Sequence, residues 1–556
     1  MSRRALPLAA VAALLAVWAL DWHLPALTDA DQRARAFERL GDFLSAFGAP
    51  DLSRETLART ARLAAQTLAV ALLGTLIGAA LGWLLGACAS RAALRDGRAR
   101  RGGAGSRAGL EAARLALDVL RGVPDFAWAL LILTGPGPGA VTGMLAIGLS
   151  SAGILGKVYS ELWDQLPERA GERARAVGAG RLATLVYGLQ PAAGRAMLSY
   201  TLMRLECAVR NATVIGVVGG GGLGAELFDE LNFGNHAAVV TLLAALLALT
   251  AGTDLFSDFL RRQLQDDPHH PRAARRLDRA AARRRRALAL GALGALTLAA
   301  LATLGPAWSS AARELGRIEW RWIGAQLADL ARLDLSPRTL RDVLVEARVP
   351  LALGVLATLS GTGLAVLLAR PASRSFQLEP ERFTGERAPA AVRRLRALEL
   401  ALARGAALVL RAVPEVAWLL VLAALFTLGP LPGVLAMGLH SGGVLARVFV
   451  ERVDAVPLQR LESAALGGRR GAFWYAAVPA SLRDWTTYAL FQLEVNVRMG
   501  VVFGIVGLGG LGDRFHSSLS RWNLPRAGTF LLAMVLMTAV IDRLARRSGS
   551  RARLVD

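Results

Sequence analysis

Apolar residues in this chain are gathered into long runs separated by short polar segments. The runs have the length that a helix needs to cross a bilayer core of roughly 30 Å, about 20 residues. About twelve are present. In the first half they lie near residues 5–20, 63–88, 114–134, 139–156, 196–218 and 237–260; in the second half they lie near 287–305, 346–369, 398–428, 432–449, 483–506 and 527–544. The pattern predicts an all-α integral membrane protein with about 12 transmembrane helices.

The same pattern is written twice. "DLSRETL" from Asp51 answers to "DLSPRTL" from Asp334, "RGVPDFAW" from Arg121 to "RAVPEVAW" from Arg411, and "LAIGLSSAGILGKVY" from Leu145 to "LAMGLHSGGVLARVF" from Leu435. "LECAVRNATVIGVVGGGGLG" from Leu205 is matched by "LEVNVRMGVVFGIVGLGGLG" from Leu493. The offset moves only from 283 through 290 to 288, so few insertions separate the copies. The expected division is a first repeat over 1–262, a basic linker over 263–286 and a second repeat over 287–556, each repeat with about six spans. An even number of spans inserts both copies in one direction, as two tandem parallel six-helix repeats facing each other across a pathway.

Charge sharpens the topology. The 556 residues carry 65 Lys+Arg against 43 Asp+Glu, a formal net charge of +22, yet 54% of them are hydrophobic and the mean hydropathy is +0.41. That pairing excludes disorder, which needs low hydrophobicity, and argues against a soluble nucleic-acid binder. The basic residues crowd particular loops: Arg3 and Arg4, then Arg91 to Arg107, then Arg261 to Arg286, then Arg543 to Arg553. All fall on one side of the counted spans, whereas the segments 21–59 and 306–345 are mixed in charge. Arginine bias marks the cytoplasmic side, so both termini are expected there. An arginine pair before an apolar run is also the pattern of a secretory signal. The comparable run at 287–305 cannot be a leader, which favours a retained span.

Several chemistries are missing from the sequence. There is no G-x-x-x-x-G-K-[ST] loop; Lys157, the only lysine, is followed by valine, so the chain is not expected to bind ATP itself. There is no H-E-x-x-H, and the six histidines show no ligand spacing. Cys88 and Cys207 sit in apolar runs and offer no disulfide framework. The run Gly219 to Gly222 follows an apolar helix rather than a strand, against a dinucleotide site. No cofactor, metal or catalytic residue is expected.

Two motifs remain, each present twice. The first is a polar segment after the fourth run, over 161–191 and 451–479, with Glu172, Ala174 and Gly178 before Pro191, and Glu462, Ala464 and Gly468 before Pro479. Two short helices joined by a glycine break would explain it. The pattern resembles the EAA loop, E-A-A-x3-G with a distal proline, of the permease subunits of bacterial ABC importers. The resemblance implies a coupling helix that docks into a separate ATPase. Arg173 and Ser463 replace the first alanine, and the glycine-to-proline spacing is 13 in one copy and 11 in the other.

The second motif lies in the fifth run. Glu206 and Arg210, and Glu494 and Arg498, are spaced i, i+4 and can meet on one helix face. Ionisable groups at membrane depth face a bundle interior or a water-filled path, so each pair is a clamp, a pathway element or both. Glycines follow: Gly216, Gly219, Gly221, Gly222 and Gly224, matched by Gly504, Gly507, Gly509, Gly510 and Gly512. They permit close helix packing, or an unwound backbone whose N–H groups could meet an anion.

Together these blocks resemble the permease of phosphonate ABC importers, the PhnE family, with two units fused in one chain. The resemblance implies a type I importer fold, two ABC ATPase subunits, a periplasmic or lipid-anchored substrate-binding protein, the bacterial inner membrane and a phosphonate, phosphite or phosphate cargo. No nucleic-acid partner is implied. Arg210 and Arg498 are then the first candidates to counter an anion in transit. The halves differ where Met203-Arg204 is answered by Phe491-Gln492 and Asn211 by Met499. Two alternatives stay open: an ABC permease for another small solute, and a secondary transporter that uses the Glu–Arg pairs as a proton relay.

Overall fold

The computed structural model describes residues 5–20, 22, 29–94, 104–133, 137–167, 169–264, 279–317, 320–379, 388–426, 429–464 and 468–551. Among them there is no strand. The helices are α1 (Ala5–Trp18), α2 (Ala30–Ala46), α3 (Arg54–Ala89), α4 (Ala104–Gly122), α5 (Asp125–Ile132), α6 (Ala140–Asp164), α7 (Arg169–Ala176), α8 (Gln190–Ile215), α9 (Leu223–Asn232) and α10 (His236–Leu264). They continue as α11 (Arg279–Thr303), α12 (Gly305–Arg317), α13 (Trp320–Ala331), α14 (Pro337–Ala369), α15 (Ala390–Ala412), α16 (Glu415–Phe426) and α17 (Pro430–Asp454). The last four are α18 (Leu458–Ser463), α19 (Val478–Phe503), α20 (Leu511–Ser520) and α21 (Leu524–Arg551). Among the described residues the apolar runs are helical, the third run of each half being split between two helices. Seven helices among the described residues are long and apolar enough to cross a membrane, and an eighth span is added if the bent pair α15–α16 is counted as one. Most of the basic linker, residues 265–278, lies outside the described residues, as do Arg3, Arg4 and Arg553.

Two compact units divide the chain differently from the sequence repeats. One comprises residues 1–49 with 325–556, the other 50–324. Each repeat's first apolar helix therefore joins the unit built from the other repeat. The physical reason lies in what each helix covers. In the first unit α1 packs on α14, and α2 on α16. In the second, α11 packs on α3 and α10, and Ala300 and Leu304 enter the core around Leu72, Met144 and Ile147.

The heart of the second unit is the packing of α3 on α6. Gly74, Gly78, Gly82 and Gly86 recur every fourth residue along one face of α3, and all four are buried. A Cβ on Gly78 would stand 2.4 Å from Ser151 Cβ, and one on Gly86 2.7 Å from the Gly156 carbonyl. Only glycine lets the two backbones approach so closely, which is how helices without a hydrophobic driving force associate in lipid. In the first unit α14 packs on α17 in the same way, with Gly361 against Ser441.

The "DLS" motifs start these long helices. Ser53 and Ser336 cap α3 and α14 by accepting from the backbone N–H of Thr56 and Thr339. Asp51 accepts from the Thr56 hydroxyl at 2.6 Å, and Asp334 from that of Thr339 at 2.6 Å. The Asp51 carbonyl accepts from Thr241 on α10, and the Asp334 carbonyl from Thr529 on α21. Each motif thus joins the start of the second span to the start of the sixth.

The "VP" motifs break the third span. Pro124 and Pro414 lack an N–H and push the residue before them out of the helical region. Helices α15 and α16 meet there at 91°. The tryptophan of each motif closes the corner: Trp128 Nε1 donates to the Leu120 carbonyl at 3.2 Å, and Trp418 Nε1 to the Leu410 carbonyl at 3.3 Å.

Candidate functional site

Each loop, after α6 and after α17, holds a short helix and, beyond it, a glycine of positive φ. In the first copy α7 stops at Gly178, whose φ of +83° is the left-handed conformation that glycine adopts without strain. Its N–H donates to the Arg175 carbonyl at 2.9 Å and that of Ala179 to the Ala174 carbonyl at 3.1 Å, which satisfies the helix end. Glu172 is exposed on α7, while Ala174 is half-buried. In the second copy the helix is shorter: α18 ends at Ser463, so Ala464 follows it, Glu462 is exposed and Gly468 has φ +64°. Residues 465–467 lie outside the described residues. A wide π-type turn follows in each copy, over Thr184–Leu189 and Ala472–Ala477. Tyr187 and Tyr475, at matching positions, are 80% and 81% exposed. In the first copy a cavity of about 1080 Å³ runs between α7 and this turn, lined by Arg169, Arg173, Ala174, Val177 and Tyr187.

A polar knot anchors each loop. Asp164, the last residue of α6, accepts from the Ser90 hydroxyl at 2.7 Å and the Ala92 N–H at 2.9 Å. Arg114 reaches across from α4, donating to the Ala89 carbonyl at 3.1 Å and lying 3.4 Å from Asp164. Asp454, Ser373, Arg404 and the Ala372 carbonyl repeat the arrangement. In the first repeat the ends of α3 and α6 and the middle of α4 thus meet at the residue where the loop begins.

In the fifth span Arg498 donates to Glu494 at 2.8 Å. Glu206 is engaged from another helix: Arg261, near the end of α10, lies 2.6 Å away. Arg210 donates to Cys207 Sγ at 3.5 Å. Helical spacing points to i+4 partners and could not reveal one 55 positions distant.

The glycine runs are turns and close approaches. Gly219, Gly221 and Gly222, like Gly507, Gly509 and Gly510, have φ between +72° and +107°. A Cβ on Gly224 would stand 1.9 Å from the Thr213 carbonyl, and one on Gly512 1.9 Å from that of Val501. A Cβ on Gly216 would stand 2.6 Å from the Gly221 carbonyl oxygen, and one on Gly504 2.5 Å from that of Gly509. Two of the N–H groups at these turns are satisfied within the protein: that of Leu223 donates to Thr67 at 2.9 Å, and that of Gly510 to Glu346 at 3.2 Å. This geometry supports the packing role of these glycines over the anion-binding one.

Polar clusters that the motif reading did not assign lie deeper. Asp125, first residue of α5, meets Arg204 of α8 at 3.3 Å. Arg204 also donates to Ser151 at 2.9 Å and Ser150 at 3.2 Å, and Asn211 donates to Asp125. At the matching place Glu415 lies 3.1 Å from His440 Nε2, while His440 Nδ1 lies 3.0 Å from the Val413 carbonyl. His440 thus stands between the Val413 carbonyl and the Glu415 carboxylate, one ring nitrogen toward each. Beside this pair, Gln492 donates to Ser441 and Asn496, and Asn496 donates to Thr358 at 2.9 Å. One repeat thus ties its broken span with an arginine ion pair, the other with a histidine and a neutral amide network. Charged residues inside apolar runs were the available signal; the acid of the "VP[DE]" motif and Arg204 are visible in the sequence, their meeting is not.

The profile of the binding-protein-dependent transport system inner membrane component family matches residues 106–266 and 389–554. The chain is 27% identical over 558 residues to the phosphate-import permease protein PhnE of Mycolicibacterium smegmatis, covering 98% of this chain and 93% of that one. It is 34% identical over 153 residues to the phosphite transport system permease protein PtxC of Stutzerimonas stutzeri, covering 28% of this chain and 56% of that one. No solved structure matches the chain.

Proposed function

The chain belongs to the family of binding-protein-dependent transport system inner membrane components, and on that premise we propose how its two repeats work. It is the permease of an ABC importer, and its cargo is a phosphorus oxyanion of the phosphate, phosphite or phosphonate class. The relatives named for phosphate and phosphite import support that cargo. The observation that carries the reading is the doubled loop: a short helix, a glycine of positive φ after it and an exposed tyrosine, repeated in each segment that the family matches.

On this reading the chain lies in a bacterial inner membrane with its termini in the cytoplasm. ATPase subunits engage the loops at Glu172–Gly178 and Glu462–Gly468. Closure on ATP moves the loops, and the Asp164 and Asp454 knots pass that movement to three helices at once. A binding protein delivers cargo at the opposite face, and alternating access follows as a two-state change biased by ligands at both faces. Arg498, held by Glu494, and Arg210 are the cations that an oxyanion would meet in transit. The division into repeats 1–262 and 287–556 is functional on this account, each repeat supplying one loop.

The test replaces both exposed tyrosines, Tyr187→Asp with Tyr475→Asp, in the chain expressed with its ATPase. Co-purification of the ATPase and cargo uptake should fall together by at least tenfold. Retention of both in correctly folded double variant would overturn the coupling role.

A further inference from the structure

The two repeats differ most in charge beside the second loop. In the first repeat α3, α4 and the chain between them carry Ala87, Leu94, Ser106 and Gly109; the second repeat has Arg370, Gln377, Arg396 and Glu399 at the matching positions. Arg469, which follows Gly468 in the loop, answers to Arg181. Two further cations and an amide thus surround an arginine that both repeats share. Arg469 donates to Gln377 Oε1 at 2.7 Å. A guanidinium has no acceptor, so the amide oxygen must face it and the Gln377 nitrogen is left as a donor. Gln377 is 2% exposed, and its Nε2 is buried with no hydrogen-bond partner among the described residues. The same holds of Arg469 Nε and Arg396 Nε. Buried donors left unpaired are rare in folded proteins, and here three come from three separate stretches of chain. The charges that act on Arg469 are those of Arg396, Arg370 and Glu399. Glu399, the one carboxylate among them, lies 3.7 Å from Arg370. Among the described residues the cluster therefore holds three positive charges and one negative.

We propose that this cluster binds a tetrahedral phosphorus oxyanion, either inorganic phosphate or the phosphodiester of a lipid headgroup, which present the same acceptor oxygens. Guanidinium groups pair with such oxygens through two N–H donors each, and the Gln377 amide adds a neutral donor. The three arginines are half-buried, so an anion reaches them from solvent while partial burial strengthens each contact. Placement gives the site a consequence. Arg370 directly follows α14, Arg396 belongs to α15 and Arg469 to the loop, so one bound anion ties the loop to both helices. It would hold the second loop and not the first. That consequence for coupling rests on the proposed function; the site itself rests on these residues alone.

The experiment counts bound anion on the full-length chain in two arms. Equilibrium dialysis of delipidated protein against labelled inorganic phosphate, at fixed ionic strength, reads the free anion. Native mass spectrometry after extraction from vesicles of phosphatidylglycerol and phosphatidylcholine reads the lipid. Arg370→Ala with Arg396→Ser gives the second repeat the residues that the first already carries, and Gln377→Leu does the same for the amide. In one arm wild type should hold one anion per chain more than the double variant, with binding weakened at least about tenfold, as loss of two cations close to an anion would cause. Gln377→Leu should weaken it by a smaller factor, and Arg370→Lys with Arg396→Lys should retain it. The arm that responds names the source: phosphate the free anion, phosphatidylglycerol the headgroup. The same difference should persist in a background of Arg210→Gln with Arg498→Gln, the residues assigned to the pathway. Equal binding by wild type and the double variant in both arms would overturn the proposal. So would loss of the difference in that background, which would make the anion one bound in the pathway. Failure of an ATPase to engage the loops would sink the proposed function and leave these counts unchanged.

Discussion

Removing the cation of the first repeat's buried ion pair should cost several kcal/mol, and the cost should depend on its partner. Arg204 and Asp125 have side chains only 11% and 16% exposed. In Arg204→Gln, Asp125 loses its cation and keeps Asn211, while Ser150 and Ser151 lose charged donors. Breaking a buried pair from one side costs about 3–5 kcal/mol. A glutamine, the residue the second repeat has at Gln492, can recover one neutral hydrogen bond worth about 1 kcal/mol. The net expectation is a loss of about 2–4 kcal/mol. Asp125→Asn strands the guanidinium and should cost a similar amount. The double variant removes both charges and should cost no more than either single change, a coupling of at least about 2 kcal/mol. Equilibrium unfolding in mixed micelles, followed by tryptophan fluorescence, measures all three. Additive losses, or single losses below about 1 kcal/mol, would refute the claim that this contact holds the broken span.

The other predictions concern the corners, the glycines and the outer caps. Trp128→Phe and Trp418→Phe each remove one bond across the break and should each cost about 1 kcal/mol in the same unfolding assay. Gly224→Ala and Gly512→Ala each place a methyl 1.9 Å from a carbonyl oxygen and should abolish folded protein in a size-exclusion assay, while Gly363→Ala, in open space within α14, should be neutral or slightly stabilising. Thr hydroxyls first, then Ser N–H groups, hold the Asp51 and Asp334 carboxyls below their ordinary 3.8. Their contribution is present in full above pH 3.8 and is lost as pH falls through the lowered values. Thr56→Val with Thr339→Val should therefore lower thermal stability at pH 7, with the difference from wild type vanishing as pH falls through the lowered values.

The fold was legible where it is carried by period and repetition. The length of the apolar runs placed the helices, and the repeated blocks placed the loops, because both are local properties of the chain. The glycine ladder Gly74 to Gly86 was equally local, a small residue every fourth position, and marks the α3–α6 seam. What the sequence left open is pairing between helices. Glu206 has an arginine at the correct spacing on its own helix, yet its contact at 2.6 Å is Arg261 on α10, which only packing decides. The two compact units exchange their first helices relative to the repeats for the same reason: an apolar helix carries no address for the surface that it covers. Asp125 and Glu415 sit in the motif that breaks the third span, but the partners that distinguish them, Arg204 and His440, come from different helices in the two repeats.

The central claim is that this chain moves a phosphorus oxyanion only when a separate ATPase works on its loops. The direct measurement is uptake of labelled phosphite, phosphate or a phosphonate into proteoliposomes that contain the chain, its ATPase and its binding protein, with and without ATP inside. Uptake of at least one of these anions should require ATP and the binding protein and survive collapse of the proton gradient. Uptake that continues without ATP and stops when the proton gradient is collapsed would contradict the account.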